Sequence, residues 1–495
     1  MVEADGHHAL SCRRCTGRFP RHHSLNDLVR RALVSADVPC LLELSSDVNH
    51  PLHTPLSEFY KGKSVLITGG TGFLGKVFIE KLLNGCQNID KVYVLVRAQN
   101  HENAKRRIEE ITEKALFTKL KQKRPQDLKK IVPIIGDISK TGLDIKAEDE
   151  QKLIDDVSVV FHSAATLSFS EPLNVAMNIN YEGTRRLLEL CKKMKSFDAF
   201  VYISTAYSNT NKKVIEEVIY PAPANVDDVY KSLEKCSGTE MENNELIDQP
   251  NTYAFTKALT ENLVAKYHPT IPSAIVRPSL VFCSKRDLPG WVDAWSLPTA
   301  LLFSTAKGFN RVVYGKRDNL VDIIPVDYVV NMCIAAATRY VAVYNCCSSV
   351  CNPVTLETWL SMFSAEFVKH GINDLPYPYP VLTTSKPLAA IFTFITQTIP
   401  SYAVDIWYKL KGKKPRLVKT NKKFIHIRNM ADYFTTNSWY MTSTRARALA
   451  TSLAAEDRAR FPCDPADIDW PDYIKTHAYG VNKYLIGDSE KRVGK

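Results

Sequence analysis

The first clear pattern along the chain begins after Lys63. Ser64–Thr68 is a short, uncharged, β-branched run, which predicts a buried strand. Glycines follow at 69, 70, 72 and 75, and residues 76–83 then place apolar side chains at helical spacing. Residues 91–97 return to a continuous apolar run, so strand, glycine turn, helix and strand form one βαβ unit. Further strands are predicted at residues 131–137, 157–162 and 200–205, with a helix over 180–194 before the last of them. Strands that alternate with helices stack into a parallel sheet covered on both faces, a doubly wound α/β architecture. At 495 residues the chain has room for two or three folded units. Its 45% hydrophobic and 24% charged residues exclude disorder and fibrous repeats as the main state.

The glycine turn carries the first chemistry. Gly69-x-x-Gly72-x-x-Gly75 between a strand and a helix is a variant of the dinucleotide-binding loop. Its first glycine permits the tight turn, the second lets a diphosphate approach the backbone, and the third lets helix pack on strand. An NAD site usually places a carboxylate at the end of the second strand, to hold the ribose 2′-hydroxyl. This chain has Arg97 there, with Lys105 and Arg106 a little further on. A guanidinium suits a 2′-phosphate, so NADPH is the expected cofactor. Asp137, Ala164, Ala165 and Thr205 fall at the carboxyl ends of other strands, where ligands of such sheets gather.

Tyr253 and Lys257 are four residues apart, on one face of a predicted helix. An ammonium beside a phenol favours phenolate and is expected to lower the tyrosine pKa toward neutrality, making Tyr253 a general acid. Thr205 offers a hydroxyl to polarise a carbonyl oxygen, with Ser204 a lesser candidate. The competing reading is a surface tyrosine and lysine on an amphipathic helix.

Residues 68–75 (Thr-Gly-Gly-Thr-Gly-Phe-Leu-Gly), Asn180-x-x-Gly183-Thr184 and Tyr253-x-x-x-Lys257 resemble the extended short-chain dehydrogenase/reductases. Within that group the chain is similar to the alcohol-forming fatty acyl-CoA reductases. The segments that carry this likeness are His162-Ser163-Ala164-Ala165, Ser204-Thr205-Ala206-Tyr207, Arg277-Pro278-Ser279, Pro289-Gly290-Trp291-Val292-Asp293 and Ile323-Ile324-Pro325-Val326-Asp327. It runs over about residues 58–485. The resemblance implies a Rossmann-type sheet with a smaller substrate-binding part and a mainly helical C-terminal region. It implies that NADPH reduces a long-chain acyl-CoA through an aldehyde to a primary alcohol, with release of CoA. Thr205, Tyr253 and Lys257 would be catalytic. Thr68, Gly69, Gly72, Phe73, Leu74, Gly75, Arg97, Asp137, Ile138, Ala164, Ala165, Asn180 and Pro278 would join Tyr253 and Lys257 around the cofactor. The stretch Trp295-Ser296-Leu297-Pro298-Thr299-Ala300 is bulkier than the family pattern and bears on acyl-chain length. Two other readings remain open: a related reductase acting on an aldehyde, sterol or sugar nucleotide, and a non-catalytic NADPH-binding scaffold.

These features divide the chain into an extension (1–60) expected to be poorly ordered, a cofactor domain (61–345), a helical region (346–485) and a short tail (486–495). Twelve cysteines in a chain this long are too sparse for a disulfide scaffold, so a reducing, intracellular compartment is expected. Cys12 and Cys15 with His22 and His23 have the look of a zinc site but lack a second pair at ribbon spacing, and no metal is expected. Residues 387–408 are the one membrane candidate. Pro400, Asp405 and Gln397 make it a poor span. The nine Lys or Arg residues at 409–428, with no acid among them, suit an anchor on an anionic membrane face. The resemblance to fatty acyl-CoA reductases implies endoplasmic reticulum or peroxisomal membranes as the sites. The net charge of +11 also raises nucleic acid as a partner, but no binding module accompanies it, and none is expected.

Overall fold

The computed structural model describes residues 54–169, 171–235, 249–339 and 343–487. Residues 1–53 of the N-terminal extension, with Cys12, Cys15, His22 and His23, and nearly all of the tail lie outside the described residues, whereas residues 54–60, expected to be poorly ordered, form a helical turn at Leu56–Phe59 with Leu56 and Tyr60 fully buried. Seven parallel strands form the central sheet: β1 (Ser64–Thr68), β2 (Val92–Val96), β3 (Ile131–Ile135), β4 (Val157–His162), β5 (Ala199–Ile203), β6 (Ser273–Pro278) and β7 (Val343–Cys346). Their spatial order is β7-β6-β5-β4-β1-β2-β3. The order reverses at β1, which lies between β2 and β4 with Ile67 opposite both Val94 and Phe161.

Helices cover both faces. Along β1, Val65 and Ile67 enter one apolar core and Leu66 the other. Burial on both sides is why these strands read as unbroken apolar runs. The helices that matter for the site are α1 (Phe73–Gly85), α2 (His101–Thr112), α3 (Gly183–Cys191), α4 (Thr252–Tyr267), α5 (Leu297–Ala306) and α6 (Val326–Ala336). The helix expected over 180–194 starts earlier, at Leu173, and passes through a π-turn at Met177–Glu182 before continuing as α3.

Beyond β7 the chain is mainly helical: α7 (Leu356–Lys369), α8 (Lys386–Thr393), α9 (Ile399–Leu410), α10 (Leu417–Thr436), α11 (Thr444–Ser452) and α12 (Trp470–Gly480). A π-turn at Phe394–Thr398 joins α8 to α9. This region is tied to the edge of the sheet. The Asn345 side chain on β7 donates to the carbonyls of Ile215 and Thr442. The buried carboxylate of Glu217 accepts the backbone N–H groups of Asn345, Arg445 and Ala446.

Candidate active site

The carboxyl ends of the strands open into one cavity of about 1040 Å3. Gly69, Gly72, Phe73, Leu74, Arg97, Asp137, Ile138, Ala164, Ala165, Thr205, Tyr253, Lys257 and Pro278 all line it. Thr68, Gly75 and Asn180 stand behind its wall. Gly69 has φ +68°, and a Cβ there would lie 2.8 Å from the Ala164 nitrogen. A Cβ on Gly75 would lie 2.3 Å from the Gly69 oxygen, so only glycine lets α1 start against the turn. The first turn of α1 therefore aims its unpaired N–H groups into the cavity, a ready anion cradle.

Thr68 and Asn180 are the two ends of a hydrogen-bond chain that holds this wall. The Ala164 N–H donates to Thr68 Oγ1 (3.3 Å), which lies 2.6 Å from His162 Nδ1. His162 Nε2 lies 2.9 Å from Thr184 Oγ1, which donates to the Asn180 carbonyl (2.6 Å). The arrangement that satisfies both hydroxyls puts the imidazole proton on Nε2. Burial, with a smaller effect from the Lys257 charge, pushes the His162 pKa down to about 3 and keeps the ring neutral. The Asn180 side chain accepts from Thr166 N–H and donates to Thr256 Oγ1 on α4.

Arg97 is exposed at the end of β2 and reaches the cavity. Its neighbour there is Arg107, whose Nη1 donates to the Arg97 carbonyl at 2.5 Å. Lys105 and Arg106, the basic residues singled out in the sequence, instead face solvent on α2. The phase of that helix held the clue: Ala104, Ile108 and Ile111 are its buried stripe, and Arg107 flanks it. Asp137 accepts from the N–H and hydroxyl of Ser139. Burial raises its pKa, but those bonds and Arg97 outweigh it, so its carboxyl sits below the usual range.

Tyr253 and Lys257 share one face of α4, which Asn251 caps by accepting from Ala254 N–H at 2.8 Å. The lysine does not lower the phenol as expected. Its Nζ donates to the Ile203 carbonyl (2.7 Å) and lies 4.6 Å from the Tyr202 ring centre, against 5.9 Å for Tyr253. Burial pushes the Tyr253 pKa well up, and the Thr205 hydroxyl offsets this only in part. Burial also pushes Lys257 down to about 7, against a smaller opposing effect of Glu261. Tyr253 thus holds its proton throughout the neutral range. Ser204 is not free for the oxyanion role, because its hydroxyl donates to Glu261 at 2.5 Å. Thr205 Oγ1 accepts from Tyr207 N–H (3.2 Å) and keeps its own proton to donate.

Two family models match the chain, each described as male sterility protein: an NAD-binding one over residues 67–333 and a second over residues 396–488. A Xenopus laevis protein named fatty acyl-CoA reductase 1 is 36% identical over 445 residues, covering 88% of this chain and 86% of the relative. Its Homo sapiens counterpart is 34% identical over the same shares. The chain belongs to the fatty acyl-CoA reductase family. Membership makes it an oxidoreductase with a nicotinamide cofactor, and the glycine cradle and α1 N-terminus fit that group's diphosphate. Among solved structures, the terminal R domain of the myxalamid PKS-NRPS pathway superposes with a TM-score of 0.57 at 19% identity, covering 89% of this chain and 95% of that one. That likeness is one of fold.

In this fatty acyl-CoA reductase family member part of the same cavity is lined by apolar side chains, its apolar arm. Trp295, Leu297 and Leu301 from the α5 side, Trp359 on α7, and Met430 and Phe434 on α10 form its walls. Of these, the sequence pointed only to the 295–300 stretch.

Proposed function

We propose that the protein reduces long-chain fatty acyl-CoA to the primary alcohol with NADPH, through an aldehyde, releasing CoA. The observation that carries this reading is the cavity shared by the dinucleotide cradle, Tyr253 and the apolar walls. An apolar arm suits an alkyl chain better than a sugar nucleotide, because each buried CH2 contributes about 0.8 kcal/mol.

Arg97 and Arg107 would hold the 2′-phosphate, the backbone at Gly69, Gly72, Phe73 and Leu74 the diphosphate, and Asp137 and Ile138 the adenosine side. Lys257 would hold the nicotinamide ribose, with Ala164, Ala165 and Pro278 around the ring. Bound NADPH supplies hydride to the carbonyl carbon. Tyr253 keeps its proton until negative charge develops on the carbonyl oxygen, and then donates it. Thr205 donates its one hydroxyl hydrogen bond to that oxygen. The resulting hemithioacetal expels CoA as the thiol and leaves the aldehyde. A second reduction at the same residues gives the alcohol, two NADPH being oxidised per product.

The site of action in this reading is an endoplasmic reticulum or peroxisomal membrane, where a long-chain alcohol partitions. The test is product analysis of the purified protein with palmitoyl-CoA and NADPH. Hexadecanol with two cofactors oxidised per molecule supports the reading. Hexadecanal alone would remove the second step, and no cofactor oxidation with any acyl-CoA would remove the reading.

A further inference from the structure

The continuous helix of α8, the π-turn and α9 spans Lys386–Leu410 and has two unlike faces. On one face Thr393, Gln397 and Asp405 are buried, and each is tied to the body of the protein. Arg428 Nη1 donates to Thr393 Oγ1 (2.8 Å), and Gln397 Nε2 donates to the Phe309 carbonyl (2.5 Å). The Asp405 carboxylate accepts the N–H groups of Arg416, Leu417 and Val418, all at 2.9 Å, and so caps the start of α10. These positions are spaced by fours, which drifts around a helix of 3.6 residues per turn. The wider π-turn at Phe394–Thr398 winds more slowly and offsets that drift, keeping the tethers on one side.

On the other face Ile391, Ile395, Ile399, Ile406, Trp407 and Leu410 are between 49% and 80% exposed. This is a contiguous apolar stripe of the kind that marks an interaction surface. At its C-terminal end Lys409, Lys411, Lys413, Lys414 and Arg416 are exposed, followed by Lys419, Lys422 and Lys423 on α10, and no acidic residue lies between 406 and 431. Arg428, counted with this group in the sequence, is instead buried against Thr393.

We propose that this face docks in the plane of an anionic phospholipid bilayer, as an interfacial helix and not as a span. The helix is long enough to cross, at about 37 Å for its length. Crossing would carry Thr393, Gln397 and Asp405 into hydrocarbon and leave Arg428 and the first turn of α10 without their partners, which lipid cannot replace. Lying in the plane keeps every tether, sinks the stripe by about 5–10 Å and sets the lysines among the headgroups. A second copy of the chain fits the face less well, because it would bring another acid-free lysine cluster to the contact. The same α10 that holds the Thr393 and Asp405 tethers presents Met430 and Phe434 to the apolar arm, about 10 and 16 Å along the helix from Lys423. One rigid element therefore links the docked face to the wall of the cavity. This deepens the membrane part of the proposed function, and its test reads lipid binding apart from turnover.

The experiment is flotation of the full-length protein with vesicles of phosphatidylcholine, alone or mixed with phosphatidylserine. The wild type is expected to float with the mixed vesicles, to be stripped by alkaline carbonate, and to show a blue shift of tryptophan emission that Trp407→Phe reduces. Ile395→Glu/Ile406→Glu, at exposed positions, is expected to lose at least about tenfold in binding. Lys411→Glu/Lys413→Glu/Lys414→Glu is expected to lose the preference for the anionic vesicles. Both variants should keep wild-type melting temperatures and turnover of a short-chain, water-soluble acyl-CoA. Absence of flotation, or variants that float like the wild type, would overturn the proposal. Retention through carbonate would mean a span, and a dimer that Ile395→Glu/Ile406→Glu dissociates would mean a second copy; either would also overturn it.

Discussion

The carboxylate of Glu261 and the guanidinium of Arg277 face each other as a two-point pair at 2.8 and 2.6 Å, with both side chains shut off from solvent. Glu261 lies one helical turn beyond Lys257 on α4 and also accepts from Ser204 and Ser208. The remaining guanidinium donors reach the carbonyls of Glu216 and Val218. The pair thus clamps α4, with Tyr253 and Lys257, to β6 and the 216–218 segment. Glu261→Gln leaves a buried, half-partnered cation and should lower stability by about 3–5 kcal/mol. Urea unfolding measures this, and a loss within experimental error would show that the clamp is dispensable.

Tyr253→Phe removes the proton donor but little volume. We expect kcat to fall at least about a hundredfold while NADPH still binds. Cofactor fluorescence titration beside steady-state rates separates the two effects, and a variant with wild-type kcat would dismiss Tyr253 as the acid.

Arg97 and Arg107 test the cofactor preference. Losing one charge-assisted bond, worth about 1.5–3 kcal/mol, should weaken NADPH by about 10- to 150-fold and leave NADH nearly unchanged. Arg97→Asp should go further by repelling the phosphate. Equal weakening of both cofactors in Arg107→Ala would place that residue outside the phosphate site.

Lys257 makes stability depend on pH in a definite direction. Its folded pKa is about 7, well below the ordinary lysine value of 10.5. Below about pH 7 both states carry the charge, and the fold bears the full penalty of burying it. Between the two values the unfolded chain holds a proton that the folded chain does not, so this penalty shrinks as pH rises. The melting temperature of Lys257→Met relative to wild type should accordingly be higher at pH 6 than at pH 10. A difference independent of pH would contradict the buried charge.

The apolar arm sets the acyl length in the proposed reaction. Leu301→Trp or Met430→Trp should shift the preferred substrate to shorter chains, each excluded CH2 forfeiting about 0.8 kcal/mol. A panel of saturated acyl-CoAs compared by kcat/KM gives the answer, and an unchanged profile would move the chain elsewhere.

The strands were the most legible part of this molecule. β1 and β4 fall on their expected bounds because a strand buried on both faces leaves an unbroken apolar run that little else produces. The cradle was legible for a related reason: Gly69 and Gly75 stand where any Cβ would collide with backbone. The π-turn at Met177–Glu182 left no mark, since nothing in its sequence, Met-Asn-Ile-Asn-Tyr-Glu, distinguishes it from an ordinary stretch of helix. Arg107 was hidden by attention to charge without helical phase. Of the apolar arm only the 295–300 stretch could be read, because Trp295, Trp359 and Phe434 are far apart in sequence and apolar lining looks the same as apolar core. The expected lowering of the tyrosine pKa failed on a distance that spacing along a helix does not give. Tyr253 and Lys257 do share a face, but the ammonium turns to the Ile203 carbonyl.

The bonds that Asn345 and Glu217 make to the segment around Thr442–Ala446 bear on how this chain can be divided. The matched family models end at residue 333 and resume at 396, which invites expression of the dinucleotide-binding part alone. A stop codon soon after β7 would remove the carbonyl of Thr442 and the N–H groups of Arg445 and Ala446, leaving the Glu217 carboxylate with one of its three backbone donors. It would also uncover the β7 edge, and a bare strand edge recruits other chains. A cut between the two matched pieces therefore falls across bonds that hold the edge of the sheet to the helical region.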